Sequence, residues 1–222
     1  MEAGSGLSEA ERALLDASAR SYLGALERRY ACKRFSAARA IPGYLVRYIL
    51  ECGRLAPTSF GLEHWLFVAG STSTLGPAFV KACGGQECVA SADLAVVFAV
   101  RAAEDYAPGS AFLRQRAERF PGGLKAFLPD YLPYYEELAS TGRVEEWARS
   151  QCYLASMAMM GAAAAAEIDS CPIEGFGERA LLESVGLGTD TWRAALVTVF
   201  GYAAELRRER IREDFAATVD LR

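Results

Sequence analysis

Cys171-Pro172-Ile173-Glu174-Gly175-Phe176-Gly177 lies between a long run of small apolar residues and a helix pattern over 178–185. Its proline fixes one φ angle and removes a backbone donor, while its two glycines leave the backbone bare enough for a flat ligand to approach. Two readings stay open from these residues: a loop whose N–H groups face a planar cofactor, and an ordinary helix-to-helix connection. Gly175-Phe176-Gly177-Glu178-Arg179-Ala180 also matches G-x-G-x-x-G/A, a fingerprint that needs a preceding strand inside a βαβ unit. The preceding run, 162–166, is all alanine and favours helix, and no alternating β/α pattern follows, so a dinucleotide fold is not expected.

Outward from this stretch, 144–168 is a helix pattern with almost no polar face after Gln151, predicting a helix buried all round and shared with a second subunit. Downstream, 192–200 reads as a Val/Thr/Phe-rich strand, and the charged tail 203–222 needs a partner surface to become ordered. Upstream, 94–100 is a continuous apolar run, the signature of a strand covered on both faces. Segment 105–140 carries Phe112, Phe120, Phe127, Tyr131, Tyr134 and Tyr135 among prolines and glycines, and reads equally as core or as a lid.

Nearer the start, Ser8 and Glu11 stand at capping-box spacing before one helix running to about Leu26. Pro42 opens a second helix with Leu45, Tyr48, Ile49 and Cys52 as its inner stripe. A hydroxyl-rich loop, 56–64, leads into a strand at 65–69, and 72–83 reads as a third helix. The only histidine, His64, is expected to be packed or at the surface rather than catalytic. Residues 1–6 read as a loose terminus ahead of one domain covering 1–222.

A net charge of −4 argues against a general nucleic-acid binder. The cations are nevertheless uneven: Arg28, Arg29, Lys33 and Arg34 gather near one end, Arg207, Arg208, Arg210 and Arg212 near the other. They read either as solvated faces or as two halves of one small-anion site. Six cysteines without a C-x-x-C pair, no secretory leader pattern and one histidine point to reduced thiols in the cytoplasm and to no zinc site. The longest apolar run, 152–166, is too short to cross a bilayer.

Four stretches taken together resemble the FMN-dependent nitroreductase family, in its oxygen-insensitive nitroreductase and dihydropteridine-reductase-like branch. They are Arg28-Arg29-Tyr30-Ala31-Cys32-Lys33-Arg34-Phe35; Ala56-Pro57-Thr58-Ser59 through His64-Trp65; Glu146-Trp147 through Tyr153-Leu154 into Pro172-Ile173-Glu174-Gly175-Phe176; and Val199-Phe200-Gly201-Tyr202 with its basic tail. The resemblance implies an α+β three-layer sandwich, a mostly antiparallel sheet flanked by helices, in an intertwined homodimer with non-covalent FMN at the subunit interface. It implies that Arg29, Lys33, Arg208 and Arg210 grip the ribityl phosphate, with Arg207 and Arg212 as register alternatives. Tyr30 and Ala31 would border the cofactor, and Pro57, Thr58 and Ser59 would reach it from the partner subunit. Pro172, Ile173, Glu174 and Gly175 would lie along the ring, the backbone of Glu174 and Gly175 serving N5 and O4.

The chemistry implied is transfer of two electrons from NADH or NADPH through flavin N5 to a nitroaromatic, quinone or similar acceptor, ping-pong, with no catalytic side chain. The chain departs from the family pattern at Tyr30-Ala31, Gly61 and Glu63-His64, and it contains no asparagine. Gln86 is the expected stand-in for the family's Asn at the flavin's pyrimidine edge. These departures keep two alternatives in view: another flavin reaction on the same fold, reductive dehalogenation or dehydrogenation, or an FMN-binding homodimer without turnover.

Overall fold

Ser8 and Glu11 form the expected capping box, yet the helix it opens, α1 (Glu9–Leu14), is short. Asp16 caps a second helix, α2 (Ala17–Arg28), its side chain accepting from the Ala19 N–H, so the single helix read from periodicity is two. The structure, a computed structural model, describes residues 7–222. The terminus expected to be loose at 1–6 lies outside them.

Pro42 precedes α3 (Gly43–Arg54). Its inner side is Ile49 and Gly53, whereas Tyr48, expected inside, is 43% exposed. Then come β1 (Trp65–Gly70), α4 (Thr72–Ala82), α5 (Glu87–Ala90), β2 (Leu94–Arg101), α6 (Ala111–Ala117), α7 (Gly123–Ser140) and α8 (Val144–Ala165). The chain continues through β3 (Asp169–Ile173), α9 (Glu178–Ser184), β4 (Trp192–Gly201) and α10 (Phe215–Thr218). The stretch 171–177, read as a loop between helices, is therefore half strand. Its first three residues pair with Val199, Thr198 and Val197, and Pro172 is tolerated because β3 is an edge strand.

The sheet is wholly antiparallel, in the order β1-β2-β4-β3. Alternation along β2 divides the core in two: Leu94, Val96, Phe98 and Val100 face one cluster, Ala95, Val97 and Ala99 the other. The first cluster lies under α3, α7 and α8, the second under α4, α5 and α9, giving three layers. In α3, Gly53 lets α8 approach closely, since a Cβ there would meet Met159 Cε at 2.1 Å. Ser156 of α8 and Thr198 of β4, both buried, satisfy each other at 2.8 Å.

Of the aromatics in 105–140, Phe127 and Tyr131 are core, with Tyr131 Oη donating to the Tyr106 carbonyl at 2.6 Å. Phe120 and Tyr134 are more than a third exposed. The segment is thus both a core wall and a surface. His64 is packed, 1% exposed, stacked on Tyr106 and edge-on to Trp147, and among the described residues neither ring nitrogen has a hydrogen-bond partner.

Burial, with Arg116 a lesser cause, pushes the His64 pKa down to about 3, so the folded state holds a neutral ring where the unfolded chain binds a proton near pH 6.5. Its contribution is therefore complete above pH 6.5 and is lost as pH falls from there toward 3. Between pH 7 and 5 this amounts to about 2 kcal/mol. His64→Phe should remove that share of the acid sensitivity, read as the difference in unfolding free energy between the two pH values.

Candidate functional site

Two segments remote in sequence come to β3 because the stretch after α2 lies between that strand and the start of the tail. Ala31 bridges Ser170, and the Cys32 N–H donates to the Ser170 carbonyl at 3.1 Å. On its other side Phe35 bridges Ala203, the Ala204 N–H donates to the Arg34 carbonyl at 2.9 Å, and the Lys33 N–H donates to Glu205 Oε1 at 2.7 Å. Backbone pairing thus delivers residues 29–33 and the basic tail to one place.

Arg210 Nη2 donates to the Leu26 carbonyl and, at 2.5 Å, to the Arg29 carbonyl. Burial and then the neighbouring Arg212 charge lower the Arg29 pKa; burial, Arg212 and Arg29 lower that of Arg210. Three guanidiniums that raise one another's energy, without a carboxylate bonded to Arg29, Arg210 or Arg212 among the described residues, form a half-built anion site. Lys33 Nζ lies 3.3 Å from Cys171 Sγ. The neighbouring Cys88 thiol, with Lys33 and Arg29, draws the Cys171 pKa below its ordinary range, and the same interaction pushes Cys88 up.

Within the tail, Arg210 is bonded to the Arg29 carbonyl, and Arg212 acts on both Arg29 and Arg210 through its charge. Arg207 instead pairs with Asp169 at 3.2 Å and lies 5.8 Å over the half-buried Tyr30 ring. Arg208 is exposed and has no hydrogen-bond or ion-pair partner among the described residues, so no contact brings it into the group.

At the far end of β3 the chain exposes Glu174 and Gly175. Their carbonyls are taken, Glu174 accepting from the Phe176 N–H at 3.1 Å and Gly175 from Gln86 Nε2 at 2.9 Å. The Gly177 N–H donates to the Ala82 carbonyl at 2.8 Å. Among the described residues the N–H groups of Glu174 and Gly175 have no partner. A cavity of about 740 Å³ adjoins them, lined by Gly175, Phe176, Gly177, Lys81, Ala82 and Gly84. Gln86 therefore meets this segment, while Pro172 is exposed and Ile173 buried at its base.

The loop carrying Pro57, Thr58 and Ser59 is fixed from α8 and from inside. The Ser59 N–H donates to Gln151 Oε1 at 2.9 Å, and the Glu63 N–H to Thr58 Oγ1 at 3.0 Å. Glu63 in turn pairs with Arg116 and Arg119 at 3.1 and 2.6 Å. Phe60 and Glu63 hold positive φ, 55° and 47°, a strain these anchors sustain. No hydrogen bond or ion pair among the described residues joins this loop to 172–177.

Sequence reasoning missed Tyr153, whose Oη donates to Glu174 Oε1 at 2.5 Å, and Arg149, bonded to Glu178. Tyr153 is a polar group inside an apolar run, whereas Arg149 stands among the charged and polar residues that open α8 and carries no such signal. Within the single chain, Tyr153, Leu154 and Met157 form an exposed stripe along α8. Among the described residues no helix is long and apolar enough to cross a membrane, and no three metal-ligating side chains gather.

Comparison with known proteins agrees with this architecture. YfkO of Bacillus subtilis (strain 168), whose assignment as an NAD(P)H nitroreductase is itself provisional, is 30% identical over 207 residues, covering 86% of this chain and 92% of its own. A nitroreductase-like protein from Streptococcus mutans superposes with a TM-score of 0.75 at 18% identity, covering 91% of this chain and 98% of its own. A provisionally assigned nitroreductase from Exiguobacterium sibiricum 255-15, solved in complex with FMN, gives 0.65 at 19% identity, with 90% and 97% covered. The family model described as the Nitroreductase family matches residues 26–202, which include the Arg29 segment, all four strands and the Glu174 loop, and the chain belongs to that family.

Proposed function

We propose that this chain is an FMN-dependent oxidoreductase that takes two electrons from NADH or NADPH and gives them to nitroaromatic, quinone or similar electron-poor acceptors. The observation that carries the reading is the pair of unpartnered amides at Glu174 and Gly175 at one end of β3, with the Arg29, Lys33, Arg210 and Arg212 cations at the other. A rod with a terminal phosphate and a flat polar ring matches these two sets of donors in kind. Arg29, Lys33 and Arg210, with Arg212, would hold the phosphate, and the exposed Arg208 is free to swing to it. Tyr30 and Ala31 border the ribityl chain; Pro172 and Ile173 lie beside the ring.

Bound FMN supplies hydride exchange at N5 between a nicotinamide and an acceptor. The chain binds, orients and polarises. Gln86 holds the Gly175 carbonyl back so that the neighbouring N–H groups stay available, and donors fixed in advance stabilise negative charge as it develops at the N5 and O4 edge. No side-chain acid or nucleophile is needed.

Two further proposals concern assembly. The 1–222 chain acts as one domain, and a homodimer covers Tyr153, Leu154 and Met157 of α8 with Tyr44 and Tyr48 of α3 and Leu55 just beyond it, all exposed in the single chain. The tail, with Leu206 and Ile211 about nine-tenths exposed, packs on the partner, and Pro57, Thr58 and Ser59 reach the partner's cofactor. Six free cysteines suit a reducing compartment such as the cytoplasm.

Anaerobic mixing of FMN-loaded protein with NADH or NADPH tests the function. The flavin bands should bleach with at least one nicotinamide and return when a nitroaromatic or quinone is added. Retention of the bands with both nicotinamides would leave an FMN-binding homodimer without turnover and overturn the enzymatic reading.

A further inference from the structure

Two carboxylates bracket the exposed amides, and two side chains one helical turn apart on α8 hold them. Tyr153 Oη donates to Glu174 Oε1 at 2.5 Å, and Arg149 Nη2 to Glu178 Oε1 at 2.8 Å. Positions four apart share a helix face, so a single face of α8 meets both ends of the segment 174–178. Arg149 is itself immobilised. It donates to Glu145 Oε1 at 2.8 Å and to the Ala194 carbonyl, while the Ala194 N–H donates to Glu178 Oε1 at 2.8 Å and Arg193 Nε to Glu145 Oε2 at 3.0 Å. The grip is thereby referred to β4, the most buried strand beside β2, and not to another loop.

Packing alone does not require these contacts. Helix α9 is already seated by Leu181 and Leu182, both fully buried, and the Tyr153 hydroxyl sits in an exposed apolar stripe with Leu154 and Met157. What the contacts do is fix the chain direction at Glu174 and Glu178. Gln86 on the Gly175 carbonyl and the Ala82 carbonyl on the Gly177 N–H add two further ties beside the two open amides.

We propose that Tyr153 and Arg149 are positioning residues which, through Glu174 and Glu178, set the angle at which the Glu174 and Gly175 amides meet the flavin edge. The proposal rests on the FMN reading above. Neither residue touches the cofactor's phosphate group of cations, so their loss separates reactivity from affinity.

Tyr153→Phe removes one hydroxyl and keeps the ring, and so keeps the fold and the apolar stripe of α8; Arg149→Met is the stronger variant. Three quantities are measured beside the melting temperature: FMN affinity by quenching of flavin fluorescence, hydrogen exchange of the peptide spanning 172–178 in cofactor-free protein, and the rate of flavin bleaching by excess nicotinamide. Tyr153→Phe should speed exchange of that peptide about threefold or more. It should slow bleaching about tenfold, while FMN affinity stays within about twofold and the melting temperature holds. Unchanged exchange and bleaching in Tyr153→Phe overturns the proposal, as does bleaching that falls only in step with affinity. If wild-type protein fails to quench FMN, the flavin reading itself falls, and the exchange result still reports whether Tyr153 holds the segment.

Discussion

Replacing Arg29 and Arg210 together with alanine is expected to weaken FMN binding by about 10²–10³-fold, or roughly 3–4 kcal/mol. Each charge-assisted bond to phosphate contributes about 1.5–3 kcal/mol, and the two are not fully additive because both guanidiniums address one group. Arg29 is partly buried and its pKa is lowered by burial and by Arg212, with Cys171 only a lesser opposing influence, so an arriving anion relieves it. Arg210 carries a second duty: its Nη2 also ties the tail to the Leu26 and Arg29 carbonyls. Arg210→Lys keeps the charge and loses the fork, and should fall between wild type and Arg210→Ala in affinity. Calorimetric titration with FMN checks the series, and a double variant that binds FMN as wild type does would remove the phosphate assignment.

The second large effect belongs to the backbone. Gly175→Pro deletes one of the two open N–H groups, and loss of one preorganised donor typically costs 10²–10³ in rate, so nicotinamide-driven bleaching should slow by about that factor. Gly175→Ala is the control. Its Cβ would meet only Gln86 Nε2, at 3.6 Å, and Gly175 does not hold a positive φ, so alanine keeps the donor without strain and should reduce flavin within about twofold of wild type. Proline also restricts Glu174 to extended geometry, which is why rate is read alongside the melting temperature. Stopped-flow absorbance on both variants decides: equal loss in alanine and proline would mean that the space at Gly175 matters and its N–H does not.

Much of the fold is legible because its signals are local. The capping box at Ser8, Pro42 before α3, the apolar run of β2 and the Val/Thr/Phe run of β4 each follow from side-chain type at short spacing. Strand β3 is not, because Ser170, Cys171 and Pro172 have little strand preference and are extended only by pairing with β4, about 28 residues away. The two prolines of α7 suggest a broken segment, but the buried stripe of Phe127, Tyr131 and Leu138 keeps one helix through Pro129 and Pro133. In α8 the composition gives the helix, while the difference between its buried and exposed apolar sides depends on what the rest of the chain covers.

The site divides the same way. Residue types at the ends of β3 can be read, since clustered cations and a Pro-Ile-Glu-Gly segment are unusual in themselves. The choice among Arg207, Arg208, Arg210 and Arg212 cannot, because the tail has no periodicity and its register is set by Asp169 and by the carbonyls that end α2. Tyr153 and Arg149 gain their partners across 21 and 29 residues, a separation that no local pattern encodes.

The most direct measurement is a parallel titration of the wild-type protein with FMN and with riboflavin, which share the ring and ribityl chain and differ only in the phosphate. Remote cations meeting around that phosphate predict that FMN binds at least about 100-fold more tightly, with its fluorescence quenched as the ring settles on the bare amides. Equal affinity for the two flavins would contradict the account.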